Sequence, residues 1–174
     1  MPTLIALLRG INVGGKCIVP MAELKKLFAS LHLHNPRTLL QSGNVLFDAP
    51  DKQNLSALAL TLEAAILKHF NVPAALLLRT AGTFKNILSR NPFPDFAAAH
   101  PSHLVIMFFN QPPAAPALTR LRSLILGRET FEVRGTELYL TYPDSIGTSK
   151  LTSTLIEKTL ALRGTARNWN TVTK

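Results

Sequence analysis

RTLLQSGNVLFD, residues 37–48, is the stretch that decides the fold. RTLLQ at 37–41 and NVLFD at 44–48 are two short runs of strand length, and Ser42–Gly43 between them has the composition of a tight turn. The stretch therefore predicts a β-hairpin. The segments on either side of the hairpin then determine which kind of sheet it joins.

Those flanking segments alternate between strand and helix. TLIALL at 3–8 is an apolar run of strand length. Pro20 marks a helix start, because proline is tolerated in the first turn, and apolar residues recur at helical spacing from there to Leu31. After the hairpin, the pattern predicts an amphipathic helix at about 53–69 and a strand at 74–79. The order β-α-β-β-α-β is the ferredoxin-like pattern.

The second half of the chain repeats this order of elements, although no residue-level repeat is visible. Its predicted elements are a strand at 103–109, a helix near 116–126, strands at 130–134 and 137–142, a helix at about 148–162 and a last strand in the tail GTARNWNTVTK. The sequence therefore predicts an α+β fold of two ferredoxin-like subdomains (alpha-beta plaits), residues 1–79 and 104–174. A connector at 80–103, with one short helix ended by the prolines at 92 and 94, joins them.

The bulk composition is that of an ordinary globular protein, with 47% hydrophobic and 17% charged residues in a chain of 174. The single cysteine, Cys17, excludes an internal disulfide, so a reducing compartment is expected. Residues 1–8 carry no basic region ahead of their apolar run, and no apolar run approaches the ~20 residues of a membrane span. We therefore expect a cytoplasmic protein with no membrane partner.

The net charge of +9 favours an anionic partner, or else reflects a surface that is merely basic. Basic residues form no dense run, and only Lys25 and Lys26 are adjacent. Any basic site must therefore be assembled by folding rather than carried on a polybasic arm.

The stretch RGINVGGKC at 9–17 has the glycine spacing of a phosphate loop followed by lysine. Its last position is Cys17, where such a loop places the Ser or Thr that binds Mg²⁺, and this hard cation prefers oxygen ligands. Two residues also separate the loop from the helix start at Pro20, and the predicted sheet is mostly antiparallel. We therefore interpret the stretch as a glycine-rich connection rather than as a nucleotide triphosphatase loop.

Six motifs, in order from end to end, resemble a bacterial family catalogued as domain of unknown function 1697. They are LLRGINVGGK at 7–16, VPMAEL at 19–24, QSGNVLF at 41–47, NPF at 91–93, SKL at 149–151 and RNWNTV at 167–172. The resemblance covers essentially the whole chain, and several of the motifs are long and unusual. It implies two ferredoxin-like α+β subdomains and no established activity.

The motif segments are rich in Arg, Lys, Asn and exposed glycine backbone, and none of 9–17, 41–44, 146–151 and 163–172 contains Asp or Glu. Such a set can hold a negative charge, but it cannot easily supply a carboxylate base or a hard-metal cage. We hypothesise a basic cleft at the junction of the subdomains that binds a small anion or a phosphorylated metabolite. The candidate ligand-binding residues are Arg9, Asn12, Lys16, Gln41, Ser42, Asn44, Ser149, Lys150, Arg167, Asn168, Trp169 and Asn170.

Several alternatives stay open at this point. The motif residues can be structural, with Asn and Gly making turns. RNA binding is supported by charge, although no aromatic RNP-type run is present. A metal-independent enzyme such as a transferase is the third alternative. No metal or cofactor is expected, since His32 and His34 form only a single His-x-His pair.

Overall fold

The computed structural model describes residues 1–51 and 53–174, and the chain divides into two compact units, residues 1–85 and 86–174. Each unit holds one four-stranded antiparallel sheet together with helices, so the predicted α+β class is confirmed. The finer division at 80–103 stays a prediction. Across the described residues, no helix combines the length and the apolar content that crossing a bilayer requires.

The first unit has the element order that its hydrophobic pattern predicts. Its elements are β1 (Thr3–Arg9), α1 (Met21–Ser30), β2 (His34–Leu39), β3 (Asn44–Asp48), α2 (Leu55–Phe70), β4 (Ala75–Thr80) and the start of α3 (Ala81–Ser89). The strands lie side by side in the order β2-β3-β1-β4, and every neighbouring pair is antiparallel. The hairpin of β2 and β3 therefore forms one edge of the sheet.

The core of the first unit lies between this sheet and the two helices α1 and α2. Alternate residues of β1 point into it, with Ala6 paired to Val45 on one side and to Leu78 on the other. From α1, Phe28 packs edge-on against Phe47 of β3, with ring centroids 5.3 Å apart. Burial of these apolar faces is the main force that holds the unit together.

The second unit repeats the arrangement. After the end of α3 it contains α4 (Pro94–Ala99), β5 (Leu104–Phe109), α5 (Ala115–Ser123), β6 (Thr130–Arg134), β7 (Glu137–Thr141), α6 (Ser153–Leu160), β8 (Gly164–Asn168) and α7 (Trp169–Val172). The strand order is β6-β7-β5-β8, so β8 is an edge strand. All six residues of β5 are buried, which explains why this strand is an unbroken apolar run.

The structure departs from the sequence prediction at α6, α4 and β2, among other places. Helix α6 begins at Ser153 instead of about 148, because the Thr152 hydroxyl caps it by accepting from the Leu155 N–H at 3.2 Å. Helix α4 is absent from the sequence prediction, which treats Pro94 only as a terminator, although this proline occupies the first turn of α4, where it is tolerated. Strand β2 begins at His34, three residues earlier than predicted, across an irregularity in its pairing.

Both tyrosines of the chain lie buried in the second unit, and this makes its stability sensitive to alkaline pH. The Tyr139 hydroxyl donates to Ile87 O at 2.7 Å and the Tyr142 hydroxyl donates to Leu151 O at 2.9 Å. Burial raises the pKa of each phenol from 10.0 to about 12. Because the folded state holds these protons more tightly, their stabilisation is complete below pH ~10 and is lost as the pH rises towards ~12.

We expect the second unit to lose about 2 kcal/mol of unfolding free energy per tyrosine over this pH range. The measurement is a pH titration of tyrosinate absorbance together with the fluorescence of Trp169, the only tryptophan of the chain. Tyr139→Phe and Tyr142→Phe should each remove part of the alkaline loss. Ionisation of both phenols near pH 10 with an unchanged Trp169 signal would contradict the prediction.

Candidate functional site

The glycine-rich connection at 9–17 folds into a small hairpin closed by its own backbone. The Lys16 N–H donates to Val13 O at 3.1 Å and the Asn12 N–H donates to Cys17 O at 3.0 Å. Gly14 and Gly15 form the tip, with φ of 58° and 72° that only glycine adopts without strain. The N–H groups of Asn12 and Lys16 bind carbonyls of the same loop instead of converging on one point, so the connection does not have the geometry of a phosphate loop.

The Asn12 side chain ties this connection to the β2–β3 turn. Its Nδ2 donates to Val19 O at 3.0 Å and to Gln41 O at 2.9 Å, while its Oδ1 accepts from the Val19 N–H at 2.8 Å. The backbone of Asn12 is left-handed, with φ of 53°, a conformation that asparagine tolerates better than most residues. The amide of Asn12 therefore acts as a structural clamp between the two segments.

The β2–β3 turn is organised by a second buried amide. Asn44 is 3% exposed, and its Nδ2 donates to Leu39 O at 2.9 Å and to Ser42 Oγ at 3.0 Å. Gly43 has φ of 78° and its carbonyl accepts from the Leu8 N–H at 2.8 Å. A β-carbon at Gly43 would lie 2.7 Å from Ile11 Cδ1, so only glycine allows this approach. The turn formed by the QSGN motif thus packs against the end of β1.

The first unit accordingly gathers six of the candidate residues around two neighbouring segments. They are Arg9, Asn12, Lys16, Gln41, Ser42 and Asn44. Arg9 ends β1 and is half-buried, whereas Lys16 lies exposed on the hairpin tip. Three of the four amide donors just described point at backbone carbonyls, which supports a structural role for much of this set.

In the second unit, the RNWN segment joins the edge strand β8 to the short helix α7. Asn168 caps α7, because its Oδ1 accepts from the Thr171 N–H at 3.0 Å and from the Thr171 hydroxyl at 2.9 Å. Trp169 and Asn170 are the first residues of that helix. The capping role explains Asn168, whereas Asn170 is exposed in the first turn of the helix.

Arg167 of β8 is the one cationic side chain among the described residues that is buried, with 8% exposed. Its Nη1 donates to Thr165 Oγ1 and to Ala166 O, both at 2.8 Å. Burial lowers the pKa of the guanidinium to about 10, because the charged form loses water contact. Glu137, which is 6% exposed, lies on the same face of the sheet as Arg167.

A carboxylate reaches the 149–151 segment from a distant position, although the segment itself contains no Asp or Glu. The Ser149 hydroxyl donates to Glu129 Oε1 and accepts from the Leu151 N–H at 3.0 Å. The other oxygen, Glu129 Oε2, is buried without a hydrogen-bond partner among the described residues. Sequence inspection missed Glu129, since it lies 20 positions away from Ser149. Lys150, which follows Ser149, is exposed.

A cavity of about 360 Å³ lies beside the first turn of α6 in the second unit. Its polar lining comes from Thr152 and Ser153 at the start of α6 and from Arg167 and Asn168 at the end of β8. The apolar lining consists of Val105, Tyr142, Ile146, Leu151 and Ala166. No Asp or Glu lines the cavity among the described residues, although Glu129 bonds to Ser149, two positions before the lining residue Leu151.

Two candidate residues, Arg167 and Asn168, thus line one cavity, and Lys150 directly precedes Leu151, which also lines it. The two halves of the candidate set belong to different units, and their convergence in a single cleft stays a prediction.

Comparison with known proteins gives a family and a fold. The family described as "Protein of unknown function (DUF1697)" matches residues 1–139. No curated protein matches the chain. A solved structure, described as that of conserved bacterial protein SP0830 from Streptococcus pneumoniae, is similar over 99% of this chain and 95% of its own, with a TM-score of 0.75 and 22% identity. At this identity the likeness concerns the fold alone.

Proposed function

The chain belongs to the DUF1697 family of proteins of unknown function, as its motifs predicted, and we propose from its geometry that it binds a small anionic ligand in the cavity beside α6. The observation that carries the proposal is the composition of this cavity. The start of α6 lies in its wall, Arg167 borders it with its side chain on the opposite face of the sheet, and no acidic residue lies among the described lining residues. A phosphorylated or carboxylated small molecule fits this chemistry.

The start of α6 supplies backbone donors. Thr152 O accepts the first intrahelical bond, from the Ile156 N–H at 3.0 Å, and the Thr152 hydroxyl satisfies the Leu155 N–H. The N–H groups of Ser153 and Thr154 precede these bonds, so the helix itself offers them no acceptor. Helix dipoles add positive potential at this end, and the first turn of α6 contains no acidic residue to neutralise it.

Arg167 contributes through its field rather than by direct contact. Side chains alternate along a strand, so Arg167 and Thr165 point to the sheet face opposite Ala166 and Asn168. A buried charge is weakly screened, so Arg167 and the Glu137 carboxylate on the same sheet face both act on the potential in a cavity on the other side of the strand. An anion bound there would in turn favour the charged guanidinium, whose pKa burial has lowered to about 10.

The apolar lining indicates that the ligand is more than a bare ion. Val105, Leu151 and Ala166 form one apolar surface, and Ile146 stands half-exposed at the rim. A volume of about 360 Å³ lies within the range of small-molecule sites. We therefore propose an anionic group held at the start of α6 and an apolar or ring-shaped part against this surface.

The test introduces a carboxylate at the proposed anion position. Ser153→Asp places a negative charge in the first turn of α6, where it should stabilise the helix and at the same time repel an anion. Thr154→Asp is the matched control, since it adds the same charge to the same turn but outside the cavity lining. We expect calorimetry with phosphate, sugar phosphates and nucleotides to show at least a ~10-fold weaker affinity for Ser153→Asp than for Thr154→Asp.

Equal affinities in the two variants, or no thermal stabilisation of the wild-type protein by any of these anions, would refute the proposal. Lys16→Gln tests the wider cleft that the sequence predicts, in which residues 9–16 also contact the ligand. If residues 9–16 also contact the ligand, this variant weakens binding while leaving the second unit untouched. If affinity is unchanged, the ligand depends on the second unit alone.

The remaining alternatives have less support. Stacking of RNA bases on a sheet requires exposed aromatics. The four aromatic residues in or next to β5 and β7 are 0–4% exposed: Phe108, Phe109, Tyr139 and Tyr142. The transferase alternative stays a prediction.

The ferredoxin-like assignment is our proposal as well. It is supported by the strand orders β2-β3-β1-β4 and β6-β7-β5-β8 together with the β-α-β-β-α-β order of elements in each unit.

A further inference from the structure

Helix α2 is apolar on both of its sides. Towards the sheet it places Leu62 and Ile66, which are fully buried. Away from the sheet it places Leu60, which is 67% exposed, and Leu67, which is 48% exposed. A surface helix normally carries polar residues along its outer side, whereas on α2 the exposed polar residues Ser56, Thr61 and Lys68 flank an apolar stripe.

The exposed apolar residues of α2 form one continuous stripe. Ala57, Leu60, Ala64 and Leu67 follow one another at intervals of three, four and three residues, and all four are exposed. These intervals place the side chains in one line along the helix, and they are the spacing of a two-helix packing seam. We call these four residues the α2 stripe.

We propose that the α2 stripe packs against the α2 stripe of a second copy of this chain, with the two helices antiparallel. A two-fold axis that passes α2 at residue 62 sets position 57 opposite 67 and position 60 opposite 64. Every leucine of one stripe then faces an alanine of the other. Alternation of large and small side chains is what close packing across a symmetric interface requires.

The charges beside the stripe favour this orientation. Lys68 is the exposed lysine of α2, and in the antiparallel arrangement it lies level with position 56 of the other copy. The two copies of Lys68 are then at opposite ends of the interface. A parallel pair would set Lys68 against Lys68 and leucine against leucine, which leaves gaps at the alanines. A membrane surface would call for several basic residues along the stripe, whereas the basic residues of α2, Lys68 and His69, both lie in its last turn.

The size of the stripe predicts the strength of the association. Four small or medium side chains per copy bury less than the ~1,200–2,000 Å² of a stable interface, so the dimer should be weak and reversible. We expect a dissociation constant above about 10 µM, with dimers present at high protein concentration.

Sedimentation equilibrium of the full chain tests the proposal. The wild-type protein should show monomer and dimer between ~10 µM and ~1 mM, and Leu60→Glu should weaken association at least ~10-fold. Leu126→Glu is the matched control, because Leu126 is 84% exposed and lies in the second unit, outside the stripe. Circular dichroism checks that each variant keeps its helix content.

A charge-swap mixture tests the orientation. Ala64→Lys alone should weaken association as Leu60→Glu does, and mixing the two variants should restore dimers, since position 60 of one copy faces position 64 of the other. A parallel pair would not be restored by mixing.

Three results would overturn the proposal. They are a wild-type protein that stays monomeric up to ~1 mM, equal weakening by Leu126→Glu and Leu60→Glu, and failure of the mixture to recover dimers. Binding of the wild-type protein to vesicles with anionic lipid, lost in Leu60→Glu, would assign the stripe to a membrane surface instead.

Discussion

Replacing Gly43 with alanine should destabilise the first unit by about 3–4 kcal/mol, which is a large share of the stability of a small domain. Two costs add at this position. The φ of 78° is left-handed, which disfavours any residue with a β-carbon. The new β-carbon would also lie 2.7 Å from Ile11 Cδ1 and 2.9 Å from Leu8 Cβ. The Ile11 methyl can swing away, but Leu8 Cβ is fixed to β1, so the backbone must move.

Gly14→Ala is the control that separates the two costs. Gly14 has φ of 58°, and a β-carbon added to it would have no neighbouring atom within 4 Å, so its substitution carries the backbone cost alone. We expect a loss of about 1 kcal/mol for Gly14→Ala against 3–4 kcal/mol for Gly43→Ala. Hydrogen exchange of residues 1–85 is the suitable readout, because the tyrosines and the tryptophan all lie in the second unit. Equal losses would mean that the QSGN turn does not depend on its contact with β1.

Hydrophobic periodicity was sufficient to predict most of the fold. Strands such as β3 and β6 begin and end where their alternation predicted, because each has one face in a core and turn residues at both ends. The start of α6 shows where this signal fails. Leu151 lies in register with the helical pattern, and it is buried, but its segment is not helical. The Ser149 hydroxyl accepts from the Leu151 N–H, and the Thr152 side chain caps the helix that follows. Local hydrogen bonds overrode the period there.

The candidate site was harder to predict, because residue type does not reveal which way a polar group points. Asn12 and Asn44 look the same in sequence as ligand-binding amides, yet their described donors reach carbonyls and a hydroxyl of the same unit. Glu129 lies far from Ser149 in sequence and reaches it only after folding. The cavity beside α6 likewise depends on the meeting of β8 with a helix start, which no single segment encodes.

Replacing Asn12 with alanine should cost the first unit about 3 kcal/mol, the second large effect expected here. Three hydrogen bonds of 2.8–3.0 Å disappear, and the carbonyls of Val19 and Gln41 lose their donor. Each such bond contributes roughly 0.5–1.5 kcal/mol, and alanine also tolerates the φ of 53° less well than asparagine. Urea unfolding, monitored by the hydrogen exchange of residues 1–85, measures the loss in unfolding free energy.

Two further substitutions at Asn12 separate its roles. Asn12→Gly removes the side chain but accepts the left-handed backbone, so it should be about 1 kcal/mol less damaging than Asn12→Ala. Asn12→Asp keeps the acceptor for the Val19 N–H while setting a negative charge against two carbonyls, so it should damage the unit at neutral pH despite its similar shape.

The same variants decide between the structural and the ligand-binding interpretations of the RGINVGGK motif. A clamp predicts that Asn12→Ala lowers the stability of the first unit and leaves anion affinity in the cavity beside α6 unchanged. A ligand-binding amide predicts the reverse: unchanged stability and weaker anion binding. Since all described partners of the Asn12 side chain lie within 11–21 and at 41, we expect the first result. The second would extend the ligand site to residues 9–16, as the wider cleft predicted from the sequence requires.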